Sequence, residues 1–127
     1  MKQSFEDLVQ MIKKNREKCP WSKEQEIEQH VHELISEANE VLEAVNNKDN
    51  ENLKEELGDI LFDTLFMCII AEEKGMFKIT EVIDNTKQKM IRRKPWVFGD
   101  EKIETKEDAV RRWKEIKQEE KNDKKSK

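Results

Sequence analysis

Three glycines and two prolines are all that interrupt this chain, and where they fall dictates its architecture. Long stretches free of both, with few alternating β-branched runs, favour helices over strands. Pro20 disfavours helical geometry at Cys19, so a first helix should close near Lys18. Ser4 with Asp7 has the form of a capping box for that helix, and Phe5, Leu8, Val9 and Ile12 give it an apolar side. Cys19-Pro20-Trp21 then reads as a loop. Ser22 with Gln25 reads as a second capping box, opening a long helix that runs to the polar turn Asn46–Asn50. A third helix spans about residues 51–74 and is closed by Gly75, a residue suited to a left-handed cap. Gly58 lies inside it, at a cost of about 1 kcal/mol that close backbone packing would explain. A fourth helix covers about 80–93 and stops before Pro95. A loop over 94–104 precedes a last helix opened by Thr105 and Asp108, with Ala109, Val110, Trp113 and Ile116 on its apolar side.

The expected fold class is therefore all-α, a helical bundle. At 127 residues it should be one domain over 1–120, with 121–127 a charged, disordered tail. The stretch Leu61–Ile70 is apolar nearly all the way round, more than one small bundle easily covers, which predicts a helical dimer interface there. The 29 acidic and 25 basic residues leave a net charge of −4, so no global basic field draws the chain to nucleic acid. Cys19 and Cys68 are in neither metal-ligand nor redox spacing. The apolar run 60–71 is too short to span a bilayer and contains Asp63. A soluble cytoplasmic protein is the expectation.

Two helices carry the acids that could do chemistry. Glu37 and Glu40 are three apart, as are Glu56 and Asp59, so each pair falls on one helical face. On the first of these helices the acids flank an apolar stripe of Ile27, Val31, Leu34, Ala38, Val41, Leu42 and Val45. On the second, Asp63 shares their arc, beside Leu57, Ile60, Leu61, Thr64, Leu65 and Cys68. Packed antiparallel, the helices would bring four acids together, and a hard divalent cation such as Mg²⁺ would relieve their repulsion. In a chain that is 43% charged, solvated acidic flanks are the simpler account of spacing alone.

Neither GxxxxGKS/T nor GxGxxG is present, so any phosphate binding would fall to metal, lysine and arginine. Lys89 and Arg93 lie four apart at one helix end, where a solvated basic terminus favouring the dipole is the plainer reading. Trp113 and Lys117 are also four apart: an indole could stack on a base while the ammonium meets a phosphate, although such a tryptophan more often packs.

Taken in order, Cys19-Pro20-Trp21, Ser36-Glu37-x-x-Glu40, Glu56-x-x-Asp59, Arg92-Arg93-Lys94-Pro95-Trp96-Val97-Phe98-Gly99-Asp100 and Trp113-x-x-Ile116-Lys117 resemble the MazG family of nucleoside triphosphate pyrophosphohydrolases. The resemblance runs from about Phe5 to Lys121. It implies an all-α, Mg²⁺-dependent enzyme (Mn²⁺ substituting) that converts nucleoside triphosphate to monophosphate and pyrophosphate, as nucleotide-pool house-cleaning. It also implies a homodimer, with a dimer of dimers as the larger alternative. By the same resemblance Glu37, Glu40, Glu56 and Asp59 are metal ligands and catalytic acids. Lys89 and Arg93 bind phosphate, while Trp113, Lys117 and Trp21 meet the substrate. Ser36 departs from the family's EExxE, Ser22 replaces the acid usual after CPW, and Lys94 replaces a frequent histidine; none removes an assigned ligand. The alternatives are a narrower dUTP, dCTP or phosphoribosyl-ATP enzyme, or a catalytically weak helical module.

Overall fold

The computed structural model describes residues 1–126, and among them there is no strand. The helices are α1 (Lys2–Lys18), α2 (Pro20–Lys23), α3 (Ile27–Asn46), α4 (Asn50–Glu73), α5 (Ile79–Arg93), α6 (Pro95–Phe98) and α7 (Lys106–Ser126). Where one domain was expected, the chain divides into two compact units, Met1–Ile79 and Thr80–Lys127, each described by itself below.

The first unit is built on an α3–α4 hairpin. Asn47, Lys48 and Asp49 connect the two helices, and Lys48 takes the left-handed conformation at φ 54°. So short a link between extensively contacting helices leaves only an antiparallel arrangement. The Asp49 carboxylate accepts from the Asn52 N–H and so caps α4. At the far end Gly75, at φ 70°, supplies the left-handed residue after α4, as its position predicts. Helix α1 packs on the later half of α4. That packing buries Val9 and Ile12 with Leu65, Phe66, Ile69, Ile70 and Ala71.

Most of the later half of α4 is thus covered within the chain, Leu61 excepted, so the stretch 61–70 expected as a dimer interface is largely core. The apolar side chains left open are instead Val31, Ile35, Leu42 and Val45 of α3 with Leu57 and Leu61 of α4. Much of the anticipated inner stripe of α3 is consequently outward, and its buried positions are His30 and Ala44.

Three local expectations also change. Helix α1 begins at Lys2 with Met1 as its cap, so Ser4 lies within it and caps nothing. Cys19 is extended, as a residue before proline must be, yet Pro20–Lys23 forms a helical turn because proline is preorganised for the first helical position. Pro95–Phe98 repeats this device inside the expected 94–104 loop. The capping box of α3 is Glu26 with Gln29, since Ser22 is buried and its hydroxyl already accepts from Asn15.

In the second unit Thr105 caps α7 through the Asp108 N–H, as expected. Ile116 is buried, and Trp113 lies under the Arg93 guanidinium, 5.4 Å from its ring centre. Helix α7 runs on through Ser126, where 121–127 was expected to be a disordered tail; the side-chain pair Gln118–Asn122 supports the helix across that boundary. Lys127 lies outside the described residues.

Candidate active site

The hairpin register decides the site. With α3 and α4 antiparallel, carboxylate oxygens of Glu37, Glu56 and Asp59 come within 4.8 Å of one another. Glu56 is buried, Glu37 half-buried and Asp59 exposed, so the cluster runs from the helix interface out to solvent. Glu40 is exposed and stands outside this triplet, but its charge acts on both Glu37 and Glu56.

Crowding leaves two clear marks. Glu37 Oε2 and Glu56 Oε2 are buried, and among the described residues neither has a donor. The Glu37 carboxyl is pushed up to about 8, first by the Glu56 carboxyl against it, then by burial and by Glu40. For Glu56, sharing a proton with Glu37 pulls the other way, but Glu40, burial and Asp59 together leave it raised. Buried oxygens without donors need a shared proton or a cation. An all-carboxylate donor set suits a hard divalent ion, Mg²⁺ or Mn²⁺, rather than a soft one. The residues present therefore fit the metal that the acid spacing suggested.

Beside the acids lies a cleft of about 840 Å³ within the first unit, with Glu37 and Asp59 at one part of its lining and Trp21, Cys19 and Asn15 at another. Trp21 is 75% exposed, an indole face free to stack. Among the described residues no lysine or arginine lines the cleft.

Behind it runs a buried polar network. Arg16 donates from Nη1 to the backbone carbonyls of Ser22 and Gln25, and its Nη2 pairs with Glu73 at 3.1 Å. The guanidinium also lies over Phe66. His30 also stacks on Phe66, its ring centre 4.3 Å from that of the phenylalanine. Its Nδ1 meets Asp63 Oδ1 at 3.3 Å and its Nε2 meets the Gln25 side chain. Burial pushes the Asp63 carboxyl up, and His30 beside it pulls it back part of the way.

Arg16 and His30 were not among the residues singled out from sequence. Each nonetheless had a visible signal: Arg16 occupies the next position along the apolar side of α1, four after Ile12, and His30 lies between Ile27 and Leu34 on that of α3.

The remaining candidates belong to the second unit. Arg93 is bound in a fork by Glu120, Nη2 to Oε2 at 2.8 Å, with Arg92 on the same carboxylate. These two guanidinia hold the Glu120 carboxyl down at about 2. Lys89 is half-buried, Trp113 is half-buried under Arg93, and Lys117 is exposed.

Comparison with known proteins supplies the context. A family model, the MazG nucleotide pyrophosphohydrolase domain, matches residues 25–98, more than half of the chain. The chain is 41% identical over 124 residues to the nucleoside triphosphate pyrophosphohydrolase/pyrophosphatase MazG of Thermotoga maritima, covering 96% of this chain and 47% of that protein. It is 34% identical over 113 residues to the nucleoside triphosphate pyrophosphohydrolase of Escherichia coli K12, covering 89% and 43% respectively. It thus spans less than half the length of either curated relative. The crystal structure of a mazG-related protein from Thermotoga maritima matches with a TM-score of 0.79 and 39% identity, over 89% of this chain and 98% of that one. By sequence and by architecture alike, the chain belongs to the MazG family of nucleotide pyrophosphohydrolase domains.

Proposed function

We propose that this chain hydrolyses nucleoside triphosphates to the monophosphate and pyrophosphate, with Glu37, Glu40, Glu56 and Asp59 holding Mg²⁺ or Mn²⁺ in its active form. The observation that carries the reading is the convergence of Glu37, Glu56 and Asp59 with two buried oxygens lacking donors. When bound, a divalent cation supplies neutralising charge for phosphate oxygens and lowers the pKa of water. In the reaction a water oxygen bonds to the α-phosphorus while the bond from that phosphorus to the bridging oxygen breaks, and pyrophosphate leaves. Trp21 offers an exposed indole for the base, and the cleft beside the acids is large enough to take a nucleotide. Lys89, Arg93, Trp113 and Lys117 are the proposed substrate-binding residues of the second unit.

Clearing unwanted nucleotides in the cytoplasm is the role that fits this activity. Among the described residues no helix is long and apolar enough to cross a membrane. The deciding experiment is a panel of NTPs and dNTPs with Mg²⁺, resolving pyrophosphate from orthophosphate. Pyrophosphate should appear with monophosphate, and EDTA should abolish it; orthophosphate with the diphosphate as product would overturn the assignment.

The active assembly proposed is a homodimer. Val31, Ile35, Leu42, Val45, Leu57 and Leu61, each at least 40% exposed, are the surface that a second copy would cover. Leu57→Lys with Leu61→Lys should therefore convert a dimer to a monomer in sedimentation velocity. A wild-type chain that sediments as a monomer sinks this part of the proposal.

A further inference from the structure

Charge is divided unevenly along this chain. The first unit holds 18 acids against 10 lysines and arginines, whereas the second holds 15 lysines and arginines against 11 acids. Five of those lysines stand on one side of α7. At about 100° per residue, Lys106, Lys114, Lys117, Lys121 and Lys124 fall within an arc of about 80°, and no acid falls among them. Asp108, Glu115, Glu119 and Glu120 lie on the other sides of the helix and are taken up by arginines. All five lysines are exposed, and among the described residues none has an ion-pair partner. A helix face that is merely solvated interleaves the two signs. This one holds like charges together over about 27 Å, against their mutual repulsion. A second feature opens on the same face. Trp96, Trp113 and Val110, with Lys94, line a cleft of about 410 Å³ within the second unit. Val110 sits at the middle of the lysine arc, one turn from Lys106 and one from Lys114. The Lys94 ammonium lies 5.8 Å from the centre of the Trp113 ring, so cation and aromatic face are already side by side.

We infer that the second unit binds single-stranded nucleic acid, with phosphates along the lysine row of α7 and a base in the cleft between Trp96 and Trp113. The net negative charge of the whole chain does not oppose this, because the row is a local field of one sign. Phosphate contacts supply affinity without sequence preference, and stacking on an aromatic side chain is open only to an unpaired base. A duplex keeps its bases stacked on one another and could use the row alone. A lipid surface would call for a broad apolar face beside the lysines, and α7 offers only Val110 there. Trp113 and Lys117 are shared with the proposed nucleotide contacts, whereas Lys114, Lys121, Lys124 and Trp96 are not. The two roles can therefore be tested apart.

Fluorescence anisotropy of the full chain with a labelled oligothymidylate of about 16 nucleotides reads the binding. Five phosphate contacts on a single strand predict that log K falls with log salt at a slope of about −3.5. The combined variant Lys114→Gln, Lys121→Gln and Lys124→Gln should bind on the order of a hundredfold more weakly at about 0.1 M salt, with the slope reduced to about −1.4. Its nucleotide turnover and thermal midpoint should match those of the wild-type chain. Trp96→Leu keeps apolar bulk but loses the stacking face, and should cost on the order of tenfold in affinity. No binding by the wild-type chain at low salt overturns the inference, as does an affinity that survives the triple substitution. A duplex of the same length that binds as tightly as the single strand removes the cleft from the site and overturns it too. So does binding to phosphatidylserine vesicles without binding to the oligonucleotide, which would assign the lysine row to a membrane surface.

Discussion

Glu56→Gln should abolish most turnover and leave the fold at least as stable. A neutral amide in place of this buried carboxylate removes one ligand of the proposed metal and one of the charges crowding Glu37. Losing one preorganised electrostatic group at a reacting centre costs on the order of 10²–10³ in kcat. Because burial and the charges of Glu40 and Asp59 disfavour an ionised Glu56, the same change should raise the melting temperature of the metal-free protein, the opposite of what an ordinary core substitution does. Loss of activity with loss of stability would mean that Glu56 is structural; full activity would remove it from the site.

The linkage has a definite sign. Glu37 titrates near 8 in the folded chain, above the ordinary carboxylate range of the unfolded one. Between those values the folded state holds a proton that the unfolded state has lost. Stability of the metal-free protein should accordingly be greatest in the acid part of that window and fall as pH rises from about 4.5 toward 8. Thermal melts across this range should show the decline in wild type and a flatter profile in Glu37→Gln. Added Mg²⁺ should flatten it as well, by neutralising the charge that the proton otherwise masks.

Arg16→Met should destabilise the first unit by about 1–3 kcal/mol for each buried carbonyl that loses its donor. Methionine fills the volume but leaves the Ser22 and Gln25 carbonyls without their buried donor and Glu73 without its partner. Arg16→Lys should recover little, because a point charge cannot serve two carbonyls and a carboxylate with a guanidinium's fixed fork. Urea denaturation measures both. Since Arg16 holds the segment that carries Trp21, a folded Arg16→Lys should also show a higher KM for nucleotide with a smaller change in kcat. A midpoint unmoved by either substitution would show that the network behind the cleft contributes nothing.

The acids were legible in the sequence because helical spacing alone puts Glu37 beside Glu40 and Glu56 beside Asp59 on single faces. The helix ends at Lys18, Glu73 and Arg93 were legible for a related reason, since Pro20, Gly75 and Pro95 act locally on backbone geometry. Arg16 and His30 were not, because a charged or polar residue on a periodic helix reads as surface until its partners, 57 and 33 residues away in sequence, are known. The cap of α3 was misplaced for the converse reason: Ser22 has the right chemistry, but the fold commits its hydroxyl to Asn15 and its carbonyl to Arg16. The outward face of α3 escaped too, since periodicity identifies an apolar stripe without saying which molecule covers it.

The connection at Asn47–Asp49 bears on the order in which the molecule assembles. Closing so small a loop costs little chain entropy, and the contacts it brings are near neighbours in sequence, so the α3–α4 pair is suited to form early and fast. The mutually repelling carboxylates then meet at the outset of folding rather than at its end. Their repulsion is an obstacle the nascent hairpin faces before α1 has docked, and a shared proton or an ion captured at that moment would speed the chain's maturation as well as complete its chemistry.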